Sequence, residues 1–565
     1  MNSKATGADV LVDGLIAAGV EIVFGVPGDT GIAFYEALYQ RRDRIRHILA
    51  RDERAAAAMA DAYARVTNRL GVVEASSGGG ATYLVGGLGE PFAASVPLLV
   101  LTSDIHQRSR GTGAITEIDQ NALFSAVTKF RQTVVSATDL PGILGQAISV
   151  ALSGRPGPVS LVLPEDVLAE SAPLGALPPW RAELPLIRLQ APHEAVAQVA
   201  AALRRAARPV IVAGSGVHLS SAWDELLVLA EENGIAVATT IHGKGAFPEG
   251  HPLALGTVGA NGAGIEANRP IAGADAVLFV GTRANATDTD GFTAPPRSAA
   301  FVAQIDIDPT RAGRNYPGAV ALPGDAKAVL HQLRATLGDA RRSRPPLGVR
   351  LAMAPEAVVS ASEAGRLHPA EIVKRLQAVA RPDTLVTADA GTPTPWLSAL
   401  WQCRTAGRSV LIPRGHGAMG FALPAAIGSA IAHPKRPVLC LTTDGSFALS
   451  CGELETVQRL SLPITIVHLA NRSFGWIKML QHLYQDRHYL GVDFASVQAE
   501  LVARGFGIAA RHVDSLDELG EALADSQGRG QPLFIDVAVP VEHEVVPPVA
   551  PWQRTLLGRG GRPVY

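Results

Sequence analysis

The sequence predicts an α/β protein built from three doubly wound, parallel-sheet domains. Its 565 residues correspond to three or four domains at roughly 150 residues each. Short β-rich runs alternate with Ala/Leu-rich helical patterns almost throughout, the signature of parallel sheets covered by helices. Two stretches interrupt the alternation: proline-rich Ala172 to Pro192 and charged, proline-containing Arg341 to Pro346. The first reads as a linker. The division expected is 1–170, 190–338 and 365–545, with a tail at 546–565.

In the first block, strands are expected at Glu21–Phe24, Gly71–Glu74 and Pro97–Thr102, each an apolar run flanked by Gly, Ser or Pro. Between the first two, the Ala, Met and Tyr positions of Asp52–Arg65 suit a packed helix. The second block opens with a helix near His193–Ala206 and continues with strands at Pro209–Val212, Ile235–Thr239, Ala276–Val280 and Ala300–Ile307, ending near Leu337. A helix over Pro369–Ala380 opens the third, whose strands are expected at Thr384–Thr387, Pro437–Thr442, Ile464–Leu469 and Leu533–Val537. No short-period repeat or low-complexity tract is visible.

Composition narrows the function. Fifty basic against 52 acidic side chains leave a formal charge of -2, which gives no electrostatic reason to expect nucleic acid or an anionic membrane as partner. No apolar run approaches the roughly 18 residues that span a bilayer. Asp9 and Asp13 interrupt the apolar N-terminal stretch, unlike a signal peptide. Three cysteines, Cys403, Cys440 and Cys451, cannot build a disulfide framework and lack metal-ligand spacing. The expectation is a cytoplasmic enzyme.

The chemistry-bearing stretch is Val438-Leu-Cys-Leu-Thr-Thr-Asp-Gly-Ser-Phe447, followed by Ile464-Thr-Ile-Val-His-Leu-Ala-Asn-Arg-Ser-Phe-Gly475. Each half is a buried-type strand running into a polar turn. The possible oxygen ligands Asp444 and Asn471 stand 27 positions apart. At the carboxyl ends of parallel strands such groups face the crevice where ligands bind. Their oxygens suit Mg²⁺, and turn amides such as that of Gly445 could cradle a diphosphate. An ordinary strand-to-helix turn is the plain alternative for Asp-Gly alone.

The whole arrangement resembles the cofactor signature of thiamine-diphosphate enzymes. That resemblance implies thiamine diphosphate and Mg²⁺ as cofactors, with the cation held by Asp444, Asn471 and the Ser473 carbonyl. Thr443 stands where the usual signature has glycine. The family also has a glutamate on a helix after the second strand, and Arg51-Asp-Glu-Arg-Ala-Ala-Ala-Ala-Met-Ala-Asp-Ala-Tyr-Ala-Arg65 places that role on Glu53. A carboxyl bonded to the pyrimidine ring turns the cofactor's own nitrogen into the base that forms the C2 ylid. The segment His416-Gly-Ala-Met-Gly-Phe-Ala-Leu-Pro-Ala-Ala-Ile-Gly428 puts Met419 at the apolar wedge that bends the cofactor, Gly417 beside it, and His416 within reach as an acid–base group. Plain core filling is the bland reading of Met419.

The resemblance covers nearly the whole chain and is closest to the acetolactate synthase group, related to 2-hydroxyacyl-CoA lyases and oxalyl-CoA decarboxylases. It extends to Phe24-Gly-Val-Pro-Gly28, to the glycine-rich loop Ser76-Ser-Gly-Gly-Gly-Ala-Thr82, which contains Gly79, and to Ala390-Gly-Thr-Pro-Thr394, where Gly391 and Thr392 would contact the diphosphate. It includes Ala213-Gly-Ser-Gly216, Gly243-Lys-Gly-Ala-Phe-Pro248 and Ile305-Asp-Ile-Asp-Pro309 of the middle domain. Gly445, Ser446, Phe474 and Gly475 complete the expected cofactor contacts. A homodimer or homotetramer is implied, with each active site between chains and a small 2-oxo acid or 2-hydroxyacyl-CoA as substrate.

Three departures matter. The substrate-facing loop, typically Ala-Phe-Gln-Glu, is Ala114-Ile115-Thr116-Glu117. After the metal Asn the run is Gly475-Trp476-Ile477-Lys478-Met479-Leu480, with Leu480 where the group has tryptophan. Ile115, Thr116, Trp476, Ile477 and Leu480 are thus the expected pocket residues, and pocket shape separates substrates in this chemistry. The flavin-side motif reads Gly281-Thr-Arg-Ala-Asn285, leaving FAD, ADP or coenzyme A, or nothing, in the middle domain. Arg554, Arg559 and Arg562 in the tail would suit the phosphates of a CoA thioester under a closing lid, a frayed terminus being the alternative. The function expected is decarboxylation or carboligation of a 2-oxo acid through an enamine. The alternatives are a 2-hydroxyacyl-CoA lyase or oxalyl-CoA-type decarboxylase, and a regulator without turnover.

Overall fold

The computed structural model describes residues 5–172, 178, 180–298, 301–338 and 365–563. The charged stretch at 341–346 lies outside the described residues, as do 173–177 and 179 of the proline-rich stretch and Ala300 of one expected strand. Among the described residues are three six-stranded sheets, parallel throughout, and a short antiparallel pair of Ala5–Thr6 with Ser171–Ala172.

The first sheet runs Arg46–Leu49, Ile22–Val26, Gly71–Ala75, Leu98–Asp104, Val159–Pro164, Phe130–Thr133 from edge to edge. The third runs Val410–Leu411, Leu385–Ala388, Val438–Thr443, Ile464–Ala470, Leu533–Ala538, Ala509–Val513. Numbered within each sheet in chain order, both read 2-1-3-4-6-5. The middle sheet runs Ala254–Thr257, Ala236–Thr239, Pro209–Ala213, Ala276–Val280, Phe301–Asp306, Val320–Pro323, or 3-2-1-4-5-6. In each, strand order reverses beside the first strand, and the crevice at that point is where doubly wound sheets bind ligands.

The expected strands are all present, with ends moved by one or two residues. Seven more strands complete the sheets, and six of them are edges: 46–49 and 130–133, 254–257 and 320–323, 410–411 and 509–513. An edge strand carries one row of unpaired backbone groups toward water. Arg46, Arg131 and Arg511 are exposed or half-exposed within them, and the apolar run that marks a central strand is diluted.

The chain divides into two compact units. One comprises Met1–Leu186, Pro413–Lys435 and Leu449–Leu462; the other comprises Ile187–Ile412, Arg436–Ala448 and Pro463–Tyr565. The first unit thus takes helices from late in the chain. Helix Glu53–Thr67 starts at Asp52, whose side chain accepts from Arg54 N–H, and stops at Asn68 in the left-handed conformation (φ 55°). It is buried almost all round, so it needs partners on every face. Helices Gly79–Ala94 and Ala422–Ala432 supply them. A Cβ at Gly428 would strike the Met59 carbonyl, so only glycine permits that approach.

Candidate functional site

In the first unit, the loops at the reversal point of the sheet are Gly28 to Thr30 and Ser76 to Gly80. A Cβ on Gly28 would meet Ser76, so the two loops lie backbone to side chain. Thr30 Oγ1 bonds Ser77 Oγ at 3.2 Å and Ser103 Oγ at 2.8 Å. Gly79 is exposed at the start of helix Gly79–Ala94. Glu53 is buried and faces this loop: a Cβ on Gly80 would lie 3.1 Å from its Oε1. Burial, then the negative charges of Asp52 and Glu74, push its carboxyl above the usual range. A proton is therefore held more readily on this carboxyl than on a free glutamate.

Glu74 was missed by the sequence reading. It sits on central strand Gly71–Ala75, 3% exposed, and accepts from Tyr35 Oη at 2.7 Å while bonding His47 Nε2 at 2.8 Å. Its signal was an acid inside a buried-type run.

The turn before helix Ala422–Ala432 is tied down by a second missed acid. Glu90 is 2% exposed and accepts from three successive backbone N–H groups, of Gly415 (3.1 Å), His416 (2.6 Å) and Gly417 (3.3 Å). Arg65 pairs with Glu90 at 3.2 Å and with Asp61 at 2.5 Å. Gly417 has φ 78°, which a glycine adopts without strain. Met419 emerges 45% exposed into a cleft lined also by Arg54, Ala55, Ala58, Gly86 and Phe421. An exposed apolar side chain on so rigid a turn is unlike core filling. Glu53 is not among the residues that line this cleft. The His416 ring rests over Gly89.

The loop expected to face the substrate leans on the glycine-rich one. Thr116 has φ 68° and accepts from Ser77 Oγ at 2.8 Å. A Cβ on Gly78 would clash with it. Glu117 closes the loop by accepting from the amides of Gly111, Gly113 and Ala114, which lower its carboxyl. Ile115 stands 87% exposed at the tip.

The third sheet, in the second unit, carries the residues expected as oxygen ligands. Strands Val438–Thr443 and Ile464–Ala470 are neighbours in register, so their following residues meet. Asp444 Oδ2 accepts from the backbone N–H groups of Asn471 at 2.8 Å and Arg472 at 3.0 Å. The spacing of 27 residues is thereby a contact. Asn471 Oδ1 accepts from Ser473 N–H at 3.1 Å. Segment 492–494 straps the turn: Ser473 Oγ and Phe474 N–H both donate to the Val492 carbonyl. The Phe474 ring meets Phe494 edge-on at 4.5 Å and covers Gly445, where a Cβ would collide. The Phe474 ring thus packs within the loop, and its N–H is bonded to the Val492 carbonyl. Ser446 is buried. Gly391 has φ 111°, and Thr392, beside it, is buried.

Two further groups face this turn. His468 Nδ1 bonds Asp536 at 2.7 Å. Among the described residues, its Nε2 is buried without a hydrogen-bond partner and lies 4.0 Å from Asp444 Oδ1. Glu542, just past the last central strand, is 1% exposed; burial pushes its carboxyl up to about 7. Nothing in its sequence setting marked it.

Asp, Asn and carbonyl oxygens form a hard donor set that suits Mg²⁺ completed by waters and phosphate oxygens. Among the described residues no group of three or more His, Cys, Asp or Glu side chains forms a self-sufficient metal site. The residues present fit a cation that arrives with a diphosphate, and the orphaned His468 Nε2 beside Asp444 marks a polar site with capacity left to fill.

Helix Gly475–Tyr484 places Trp476 and Leu480 together against Met479, Val549 and Trp552. The Trp476 and Trp552 rings lie 4.3 Å apart. Only Ile477 of the three expected pocket residues here is exposed, at 47%. The apolar face that looked like a pocket wall seats the tail helix Ala550–Leu556. That helix is pinned by Gln553 to Ile265 N–H (3.0 Å) and by Thr555 to Tyr484 (2.9 Å). Arg554 makes two bonds to buried Asp290, so its charge is paired within the protein.

In the middle sheet the reversal point is closed. Gly214 and Gly216 N–H groups donate to the carbonyls of Val280 and Gly281, each at 2.9 Å, and a Cβ on Gly216 would strike Gly281.

Comparisons with known proteins agree across the chain. Residues 5–123 match the family described as thiamine pyrophosphate enzyme, N-terminal TPP binding domain; residues 196–333 match its central domain; residues 389–537 match its C-terminal TPP binding domain. A probable acetolactate synthase large subunit of Methanocaldococcus jannaschii is 34% identical, over 97% of this chain and 94% of that protein. Its counterpart in Methanococcus aeolicus is 33% identical over 94% and 92%. The acetolactate synthase isozyme 2 large subunit of Escherichia coli K12 is 32% identical over 96% and 97%. With all three domain types matched in order and relatives alike over nearly their full length, the chain belongs to the thiamine pyrophosphate enzyme family.

Proposed function

We propose that the protein is a thiamine-diphosphate- and Mg²⁺-dependent carboligase or decarboxylase of the acetolactate synthase type, acting on a 2-oxo acid. The observation that carries this reading is the near-full-length likeness to acetolactate synthase large subunits. Glu53, Asp444 and Asn471 stand at the matching motif positions.

When bound, thiamine diphosphate supplies a nucleophilic carbon and an electron sink. The residues of this chain do the rest. Glu53, its carboxyl raised by burial, holds a proton at the pyrimidine ring. Asp444, Asn471 and the Ser473 carbonyl hold the cation, and the turns at Gly391–Thr392 and Gly445 approach the diphosphate. The turn locked by Glu90 holds Met419 as the wedge. Ile115, Thr116 and Ile477 face the substrate. A partner chain's third domain completes the site at Glu53, in a homodimer or homotetramer, as the resemblance to acetolactate synthases implies. The domain limits 1–170, 190–338 and 365–545 go with this reading, as does work in the cytoplasm, where the free cysteines stay reduced.

A CoA thioester is the weaker substrate class, because Arg554 is bound to Asp290 and the tail helix is docked. The test is product analysis by mass spectrometry after incubation with thiamine diphosphate, Mg²⁺ and pyruvate, with Glu53→Gln as blank. Cofactor-dependent formation of acetolactate or acetaldehyde is expected. No turnover of any 2-oxo acid, with turnover of a 2-hydroxyacyl-CoA, overturns the assignment.

A further inference from the structure

The carboxylate of Glu542 is almost fully buried, and side chains from two proposed cofactor loops converge on it. Thr392 donates its hydroxyl to Oε1, and Asn471 Nδ2 donates to Oε2 at 3.3 Å. Asn471 Nδ2 also reaches Thr392 Oγ1 at 3.3 Å. Gly475 lies so close that a Cβ there would overlap Oε2. The backbone is anchored in the same place, because Val539 N–H donates to the Ala470 carbonyl at 2.9 Å.

Burying a carboxylate is unfavourable unless it is paired. Glu542 and Asp444 both bond Asn471, the one through its side-chain amide and the other through its backbone N–H, so the two acids frame the turn that carries the proposed cation ligands.

Resting on the reading above, we propose that Glu542 is a positioning residue of the cation–diphosphate site. It orients the Asn471 amide and the Thr392 hydroxyl. Outer partners of this kind typically change metal affinity by about 10- to 100-fold.

The experiment titrates Mg²⁺ into full-length protein at fixed thiamine diphosphate, followed by tryptophan fluorescence and calorimetry, and measures Tm of the cofactor-free protein. For Glu542→Gln the Mg²⁺ concentration at half-saturation rises at least fivefold, while the cofactor-free Tm is equal to or above that of wild type. Any smaller rise, or a lowered cofactor-free Tm, overturns the proposal and leaves Glu542 a structural residue. If Glu542→Gln does not fold, Thr392→Val removes the opposing hydroxyl and is held to the same two thresholds. Wild-type protein that binds no thiamine diphosphate with Mg²⁺ overturns the proposed function instead.

Discussion

The first and third sheets share one strand order, 2-1-3-4-6-5, yet their reversal points carry opposite chemistry. In the first, strand Gly71–Ala75 runs into a loop of small residues, and the acid beside it, Glu53, is raised by burial and by neighbouring negative charge. In the third, the equivalent strand Val438–Thr443 runs into Asp444, whose oxygen is met by backbone N–H groups of the next strand's turn. One topology thus sets two acids in different company: Glu53 beside carboxylates and glycines, Asp444 beside the backbone N–H groups of Asn471 and Arg472. The middle sheet, with order 3-2-1-4-5-6, is a third case, because its two reversal loops have closed on each other through Gly216 and Gly281.

The sharpest way to break the comparison is to remove the proton from the first site. Glu53→Gln should slow exchange of the thiazolium C2 proton by about 100- to 10,000-fold, the range for acid–base groups. Binding of thiamine diphosphate should survive. Proton–deuterium exchange followed by NMR decides, and a normal rate removes the role from Glu53.

Next comes the scaffold under the wedge. Glu90→Ala leaves Arg65 and three amides without their carboxylate, and stability should fall by about 3–5 kcal/mol, as when one partner of a buried pair is lost. Urea unfolding measures it, and a loss under about 1 kcal/mol would show that the network is dispensable.

At the third sheet, Asp444→Asn should weaken Mg²⁺-dependent cofactor binding at least as much as Glu542→Gln, so by about 10- to 100-fold or more, without shifting the unfolding midpoint of cofactor-free protein downward. Equal affinity for wild type and variant would take the cation away from this turn.

The smallest effect concerns Glu74. Its folded-state carboxyl lies above the usual range, so between that range and neutrality the folded protein binds the proton that the unfolded chain releases. Its contribution is therefore full at low pH and is lost as pH rises through the raised value. Glu74→Gln should gain stability relative to wild type between about pH 4 and pH 7. A difference that stays flat over this range would mean that Tyr35 and His47 fully offset its burial.

The cofactor motif was legible because its residues are local: Asp444 and Asn471 each follow a run of buried-type residues, and two such runs 27 apart suffice to infer neighbouring strands. Edge strands were not legible, because Arg46, Arg131 and Arg511 break the apolar pattern that marks a buried strand. Trp476 and Leu480 were read as pocket walls from their place after Gly475. In the structure both pack against Trp552, 76 positions beyond Trp476, a contact that chain order does not record.

What the sequence determined by itself was the class of fold, the central strands, and the acids and amide poised at strand ends, since these rest on periodicity and on spacing along one chain. What only the tertiary structure decided were Glu74, Glu90 and Glu542, and the fate of Arg554. A buried acid takes its role from the donors that surround it, and those come from residues as far apart as Glu90 and Gly415, or Thr392 and Glu542. Chain order does not record such meetings, because they are fixed by how the sheets and helices pack.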